Sequence, residues 1–263
     1  SLGGDGFDEA SYFGWEDDGG QFWADVRKTT GLPVEVENIA NALALSERRF
    51  GVARGVSDFA LVHIATFAGV GALSDGRLVR GAAGDAGRIG HLRSKTRPLR
   101  CTCGRDDCLN LSATGFGVLA QSGLLDDGTF DRTKLRVYAK SLLAAFDDEA
   151  NTNHLRNAGA HLAPALHPRA QILAPEMIIL SGTVGANDAY FDGAKTELIK
   201  SFDHGPDSTY RLVKGEVSPA KAAALLALAV FCYSDRLGVE RLSSSAPGVA
   251  DAAARASRVV RAP

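Results

Sequence analysis

No stretch of this chain is apolar for long enough to cross a bilayer. The longest such run, residues 222–233, falls well short of the roughly 20 residues that a spanning helix needs. No segment combines the basic start, apolar middle and small-residue cleavage site of a secretory signal. Neither sign of charge dominates: 29 Lys and Arg stand against 31 Asp and Glu. The chain therefore has no basic excess with which to grip nucleic acid through its phosphates. Cysteine is scarce, with four residues of which three are clustered, which excludes a secreted disulfide framework and fits a reducing compartment. These absences make the cytoplasm the expected location, with no membrane partner and no direct nucleic acid contact from this chain. Methionine occurs once, at Met177. The six histidines form no His-Glu-x-x-His arrangement, and Asp17-Asp18 and Asp126-Asp127 read as solvated loop carboxylates.

What is present suits a globular protein. A hydrophobic content of 45% over 263 residues is enough for one large domain or two lobes with a sizeable core. The most informative stretch is Cys101-Thr102-Cys103-Gly104-Arg105-Asp106-Asp107-Cys108, with His91 upstream at the end of Gly90-His91. Cys₃His is a standard ligand set for a closed, tetrahedral zinc site, and Gly104 lets the chain turn tightly beside a metal. A Cys103–Cys108 disulfide or three unrelated thiols are the competing readings. The spacing matches no common zinc finger, so nucleic acid binding does not follow from it.

Residues 1–20 are rich in Gly and Asp and read as irregular. A short helix is expected over residues 21–30, stopped by Gly31-Leu32-Pro33. Residues 34–37 alternate like a strand, and Asn38 can cap a helix running to about Phe50. Apolar residues 60–65 and 71–74 read as strands. Asp75-Gly76 is a two-residue hairpin signal ahead of a strand over residues 77–80. Helices are expected over residues 112–122, 132–147 and 151–166. A buried strand over 177–180 ends in Ser181-Gly182-Thr183-Val184-Gly185. A helix over 190–201, a strand over 211–213 and an apolar helix over 220–233 follow, with Cys232 in the core. Residues 243–263 read as a loose tail. Strands and helices mixed in this order argue for an α/β fold.

Several motifs line up in order. Val36-Glu37-Asn38-Ile39-Ala40-Asn41 resembles the Glu-Asn-Asp-Ala-Asn segment of the ROK family of repressors, open reading frames and sugar kinases. Thr66-Phe67-Ala68-Gly69-Val70-Gly71 sits where that family has its Gly-Thr-Gly-x-Gly phosphate loop. Arg88-Ile89-Gly90-His91 resembles the Glu-x-Gly-His motif, and Cys101 through Asn110 resembles the Cys-x-Cys-Gly-x-x-Gly-Cys-Leu-Glu signature. The resemblance implies an actin-like (ribonuclease H-like), two-lobed α/β fold with a sugar in the cleft and ATP beside it. It implies a structural zinc on His91, Cys101, Cys103 and Cys108. It also implies sugar-side roles for Asn38, Arg88, His91 and Asn110, and a phosphate loop built on Thr66, Gly69 and Gly71. Gly182, Thr183 and Gly185 fall at its adenosine-side loop.

The departures from the family pattern are concentrated in the chemistry. The general-base Asp of ROK kinases is Ile39 here, and an aliphatic side chain accepts no proton. A positioned base contributes about 10²–10⁴-fold in rate. The sugar-contacting Glu of the histidine motif is Arg88, which has donors only, and the Glu after Cys-Leu is Asn110. Ala65 and Phe67 replace two glycines of the phosphate loop, while Gly69 and Gly71 remain. The family's first phosphate motif, Asp-x-Gly-x-Thr, does not occur, so about a third of a ROK core is expected upstream of residue 1. The first lobe is accordingly expected to be incomplete. It would consist of residues 1–58 with 219–240, beside a zinc-bearing lobe over 59–218 and a tail over 241–263.

Three functions follow in order of preference. The first is a zinc-stabilised regulatory domain without kinase activity, taken from a sugar-responsive transcriptional regulator and answering to a sugar or sugar-phosphate effector. The second is an ATP- and Mg²⁺-dependent kinase for a hexose or N-acetylhexosamine. The third is a zinc-bearing fragment with no ligand. A homodimer is the expected assembly.

Overall fold

The computed structural model of this chain describes residues 21–82, 84, 86–94, 99–101, 103–125, 134–146, 148–201 and 210–232. The irregular start over 1–20, the tail over 241–263 and the acidic pairs Asp17-Asp18 and Asp126-Asp127 lie outside the described residues. Helix α1, Gln21–Thr30, stops where Gly31 turns left-handed at φ +66° and donates its N–H to Arg27 O at 2.9 Å. Helix α2, Ile39–Phe50, begins at Asn38, whose Oδ1 accepts the Ala40 N–H at 2.9 Å. That bond satisfies one of the orphan donors of the first turn.

Strands β1, Phe59–Ile64, and β2, Ala68–Ser74, form an antiparallel pair, and β2 turns back into the short β3, Arg77–Leu78. The Asp75-Gly76 turn has positive φ at both residues, 50° and 69°, as the favoured two-residue hairpin requires. Helices α3, Gly115–Gln121, α4, Leu135–Ala145, and α5, Glu149–Leu173, separate this hairpin from β4, Met177–Ser181. Then come the short turn α6, Gly182–Gly185, helix α7, Asp188–Ser201, and strand β5, Arg211–Lys214. The last described elements are α8, Pro219–Ala227, and a π-helical turn, Leu228–Cys232.

The sheet order is β3-β2-β1-β4-β5, with β4 parallel to both β1 and β5. Side chains alternate across it, as strand geometry demands. Phe59, Leu61, Leu73, Met177 and Ile179 face one core with Leu43 and Ala44 of α2 and Ala222 of α8. Val62, Ile64, Ile178 and Leu180 face a second core filled from α3, α5 and α7. The architecture is three layers, helix on sheet on helix. The segments 39–50 and 219–227, read in the sequence as part of a first lobe, stack on the sheet of residues 59–214 through the first of these cores.

Three expectations need correction. Residues 34–37 pair with no strand of the sheet. Glu37, which alternation would leave on a solvated face, instead turns in to take the Asn38 N–H at 2.8 Å and the Asn41 amide at 2.9 Å. Helix α5 runs past Pro164 and Pro168 to Leu173, because its buried stripe Leu155, Ala158, Leu162, Leu166 and Ala170 continues unbroken. Both prolines lie on its exposed side. Cys232 is exposed, not in the core, because α8 and the turn after it bury only Ala222 and Ala229.

Candidate functional site

The loop over residues 90–109 folds around its own cysteines. Arg93 bridges Cys108, while Ser94 donates to Asp107 O at 2.7 Å and Leu109 to Leu92 O at 2.8 Å. Between these rungs the chain reverses at Gly104, left-handed at φ +88°, with its N–H on Cys101 O at 2.8 Å. The sequence places glycine at that turn, and the structure uses it there. As a result, His91, Cys101, Cys103 and Cys108 bring their ligand atoms within 4.8 Å of one another.

His91 Nδ1 lies 3.5 Å from Cys101 Sγ, and Cys103 Sγ lies 3.3 Å from Cys108 Sγ. A tetrahedral zinc thiolate has sulfur–sulfur edges of about 3.8 Å, given Zn–S bonds near 2.3 Å. The donor set therefore closes on an ion with small adjustment. A disulfide would need sulfurs about 2.05 Å apart, and all four cysteines are free. The four residues fit a metal ion of the zinc type.

Burial pushes the Cys108 thiol up to about 12. Cys103 is lowered on balance: burial works against it, but hydrogen bonds from the Arg105 backbone and Cys108 outweigh that. A metal must therefore displace protons to bind here. Arg105 is the loop's own counter-charge. Its guanidinium donates to Cys108 Sγ at 3.2 Å and to the His91 carbonyl. Three thiolates and a neutral imidazole around a divalent ion carry a net charge of −1, which that cation offsets. The sequence reading passed over Arg105. Its position inside the cysteine cluster was the available signal.

The residues matched to the sugar side are distributed around the sheet. Asn38 caps α2, and beside it Glu37 is ion-paired with Arg80 at 2.7 Å. Ile39, at the position of the family's base, is the first residue of α2 and is 39% exposed. It is neither core nor proton acceptor. His91 is exposed, with Nδ1 turned to the cysteines. Arg88 is exposed as well, just ahead of the 3₁₀ turn Ile89–His91. Asn110 differs from the others. It is buried, its Oδ1 accepts the Ala68 N–H at 3.1 Å, and its amide lies where a Cβ on Gly90 would stand. It ties the cysteine loop to the start of β2.

The phosphate-loop residues divide between turn and strand. Ala65, Thr66 and Phe67 form the β1–β2 turn, held by Gly115 and Phe116 N–H groups on Ala65 O (2.8 Å) and Thr66 O (3.1 Å). Phe67 packs its ring 6.4 Å from that of the buried Phe116, which gives the bulky side chain a structural place. Gly69 and Gly71 are on β2, where a Cβ on Gly71 would run into the Ala40 carbonyl of α2. Gly182, Thr183 and Gly185 leave the end of β4. Gly182, at φ +91°, lies against the Ile64 carbonyl and His63, and Gly185 against the Ile64 side chain. The two glycine-bearing segments thus meet at the carboxyl ends of the adjacent parallel strands β1 and β4, the usual ligand edge of an α/β sheet.

His63 stands at this same edge, opposite Ser181 in register. Burial lowers its pKa to about 4, and its Nδ1 has no hydrogen-bond partner among the described residues. On the other side of β4, Glu47 is fully buried. Its carboxylate takes the N–H groups of Val52 (2.9 Å), Glu216 and Val217 (both 2.7 Å). Neither residue has a sequence signal that singles it out.

With this geometry in place, the comparisons with known proteins agree. The ROK family profile matches residues 13–229. A xylose repressor of Bacillus subtilis is 29% identical over 159 residues, covering 60% of this chain and 40% of the repressor. An N-acetylmannosamine kinase of Citrobacter koseri is 27% identical over 207 residues, covering 79% of this chain and 67% of the kinase. Among solved structures, a ROK family transcriptional regulator, a homologue of the E. coli MLC protein, superposes with a TM-score of 0.60 at 25% identity. That match covers 78% of this chain and 55% of the regulator. The chain thus spans about two fifths to two thirds of the length of these curated relatives. A family match over most of its length, the α/β sheet and the ordered motifs lead to one conclusion: this chain belongs to the ROK family, with its actin-like α/β fold.

Proposed function

We propose that this chain is the effector-responsive part of a ROK transcriptional regulator and does not transfer phosphate. The observation that carries this reading is Ile39. At the position of the family's proton acceptor, α2 presents a half-exposed aliphatic side chain, directly after the capping Asn38. Nothing at that position can take a proton from a sugar hydroxyl. Arg88, a cation where the family has an acceptor, and Phe67, packed into the turn that would cradle phosphate, support the same reading. Likeness to a xylose repressor and to a solved regulator is compatible with it.

In this reading His91, Cys101, Cys103 and Cys108 hold one structural zinc, which supplies fold stability and no chemistry. The His91 Nε2 edge, with Asn38, faces an effector of the sugar or sugar-phosphate class. The chain acts in the cytoplasm as a homodimer, and DNA contact belongs to a part of the regulator other than this chain. ATP and Mg²⁺ have a role only in the kinase alternative, on Thr66, Gly69, Gly71 and the 182–185 turn.

Metal analysis and calorimetry test the proposal together. The expected result is about one zinc per chain and binding of a sugar or sugar phosphate without ATP. A coupled assay is expected to show no sugar-dependent ADP release. ADP release that depends on Asn38 and His91 would overturn the regulator reading in favour of the kinase.

A further inference from the structure

The sheet face that carries Val62 and Ile178 is not completely filled. Between it, the C-terminal half of α5 and the loop over residues 86–92 lies a cavity of about 310 Å³. Its existence has a simple cause: Ala60 and Ala72 on the sheet and Ala170 on α5 are small where larger side chains would meet. The covering loop is fixed to the sheet, with Val70 donating to Gly87 O at 2.9 Å and Ala86 to Arg80 O at 3.0 Å. Gly87, left-handed at φ +92°, lets the loop lie flat, because a Cβ there would strike the Val70 carbonyl.

Every described lining side chain is apolar except Arg88 and Arg169. Arg169 uses one donor on Ala165 O, a turn back along its own helix, at 2.7 Å. Arg88 has no hydrogen bond or ion pair within the described residues. Two guanidiniums with donors to spare stand beside an apolar cavity, and among the described residues its lining contains no carboxylate. Asn38 and Ile39 belong to α2 on the opposite face of the sheet, so this is not the sugar-side position.

We propose that this cavity binds a small amphipathic monocarboxylate: an aliphatic or aryl body between the sheet and α5, and a carboxylate on Arg88 and Arg169. A neutral sugar fits poorly, because its hydroxyls would be buried without acceptors. At 310 Å³ the cavity lies at the small end of ligand sites, about 300–1,000 Å³, which favours a short chain over a long fatty acid. Charge-assisted pairing to a guanidinium supplies the selectivity for an acid over its amide.

The test is calorimetric titration of the full chain with octanoate and, in parallel, with octanamide. Octanoate is expected to bind saturably and at least tenfold more tightly than the amide. Arg169→Gln should remove most of that difference while leaving the melting temperature in place. Ala170→Phe, which fills the cavity from α5, should abolish octanoate binding, and Ala72→Leu fills it from the sheet should the first variant fail to fold. Equal binding of acid and amide, binding that survives both filling variants, or no saturable binding would each overturn the proposal.

Discussion

Glu47 is a charged side chain with no exposure, and it is stable there because three backbone N–H groups converge on its carboxylate. It joins α2 to the segment entering α8. Glu47→Ala would leave those donors buried without acceptors, at a cost on the order of 3 kcal/mol, readable in a urea melt. His63 gives a second residue-level expectation. Its folded pKa is lowered to about 4 by burial against about 6.5 in an unfolded chain. Between those values the unfolded state binds more protons, so stability is fully present above pH 6.5 and declines as pH falls toward 4. The gap corresponds to about 3 kcal/mol. Because acid also releases a metal from thiolates, the diagnostic quantity is a difference. His63→Leu should be less sensitive than wild type over pH 6.5–4 by about that amount, and identical pH profiles would contradict the assignment.

Two structural elements depend on close approach. The cysteine loop is held by backbone rungs at 92–94 and 107–109, with Cys101, Cys108 and Leu109 buried in the core and Leu92 and Leu99 packed against it, while its four ligand atoms face one another and hold its tip by what they bind. Chelation of metal, or Cys108→Ser, should lower the melting temperature by roughly 5–10 °C, since 1 kcal/mol is worth about 2–4 °C at this size. Asn110, which joins this loop to Ala68, should transmit that loss to the β1–β2 hairpin, visible as faster amide exchange there. Helices α5 and α7 meet at Gly159 and Gly193, where a Cβ would strike the Tyr190 and Arg156 carbonyls. Gly193→Val should therefore destabilise by about 1–3 kcal/mol through overpacking.

Sugar phosphorylation is a property of the whole molecule, requiring a base, a phosphate cradle and ring-fixing acceptors at one point. Here the first position is Ile39, the second contains Phe67, and the third includes Arg88 and a committed Asn110. Groups that act as a unit do not fail additively, so Ile39→Asp alone should restore no ADP release with glucose or N-acetylmannosamine. A gain of activity from that one change would show that the remainder of the site is intact. The outer surface of α8 and the following turn is apolar and open, with Leu228 48% and Phe231 43% exposed. Such a surface promotes association, so sedimentation should show self-association that Phe231→Ser weakens.

The sequence by itself determined most of the local structure and pointed to the His/Cys cluster, because those depend on neighbours along the chain. Asn38 as a cap, Asp75-Gly76 as a hairpin turn, the 177–180 strand and the His91–Cys108 cluster are short-range features with distinct chemical signals. The family membership was legible for the same reason, from ordered motifs. Tertiary structure alone decided where side chains went when their partners lay far along the chain. Residues 34–37 looked like a strand until Glu37 found Arg80, and Cys232 looked buried until α8 was seen to bury one face only. The helix expected to end at residue 166 runs on past Pro168 to Leu173, because its buried stripe continues. Glu47 gave no warning, because two of the three N–H groups on its carboxylate lie some 170 residues away. The cavity under the 86–92 loop was equally invisible, since it is made by three alanines from three different elements. Periodicity reports which face of an element is apolar, but not how completely two such faces fill the space between them.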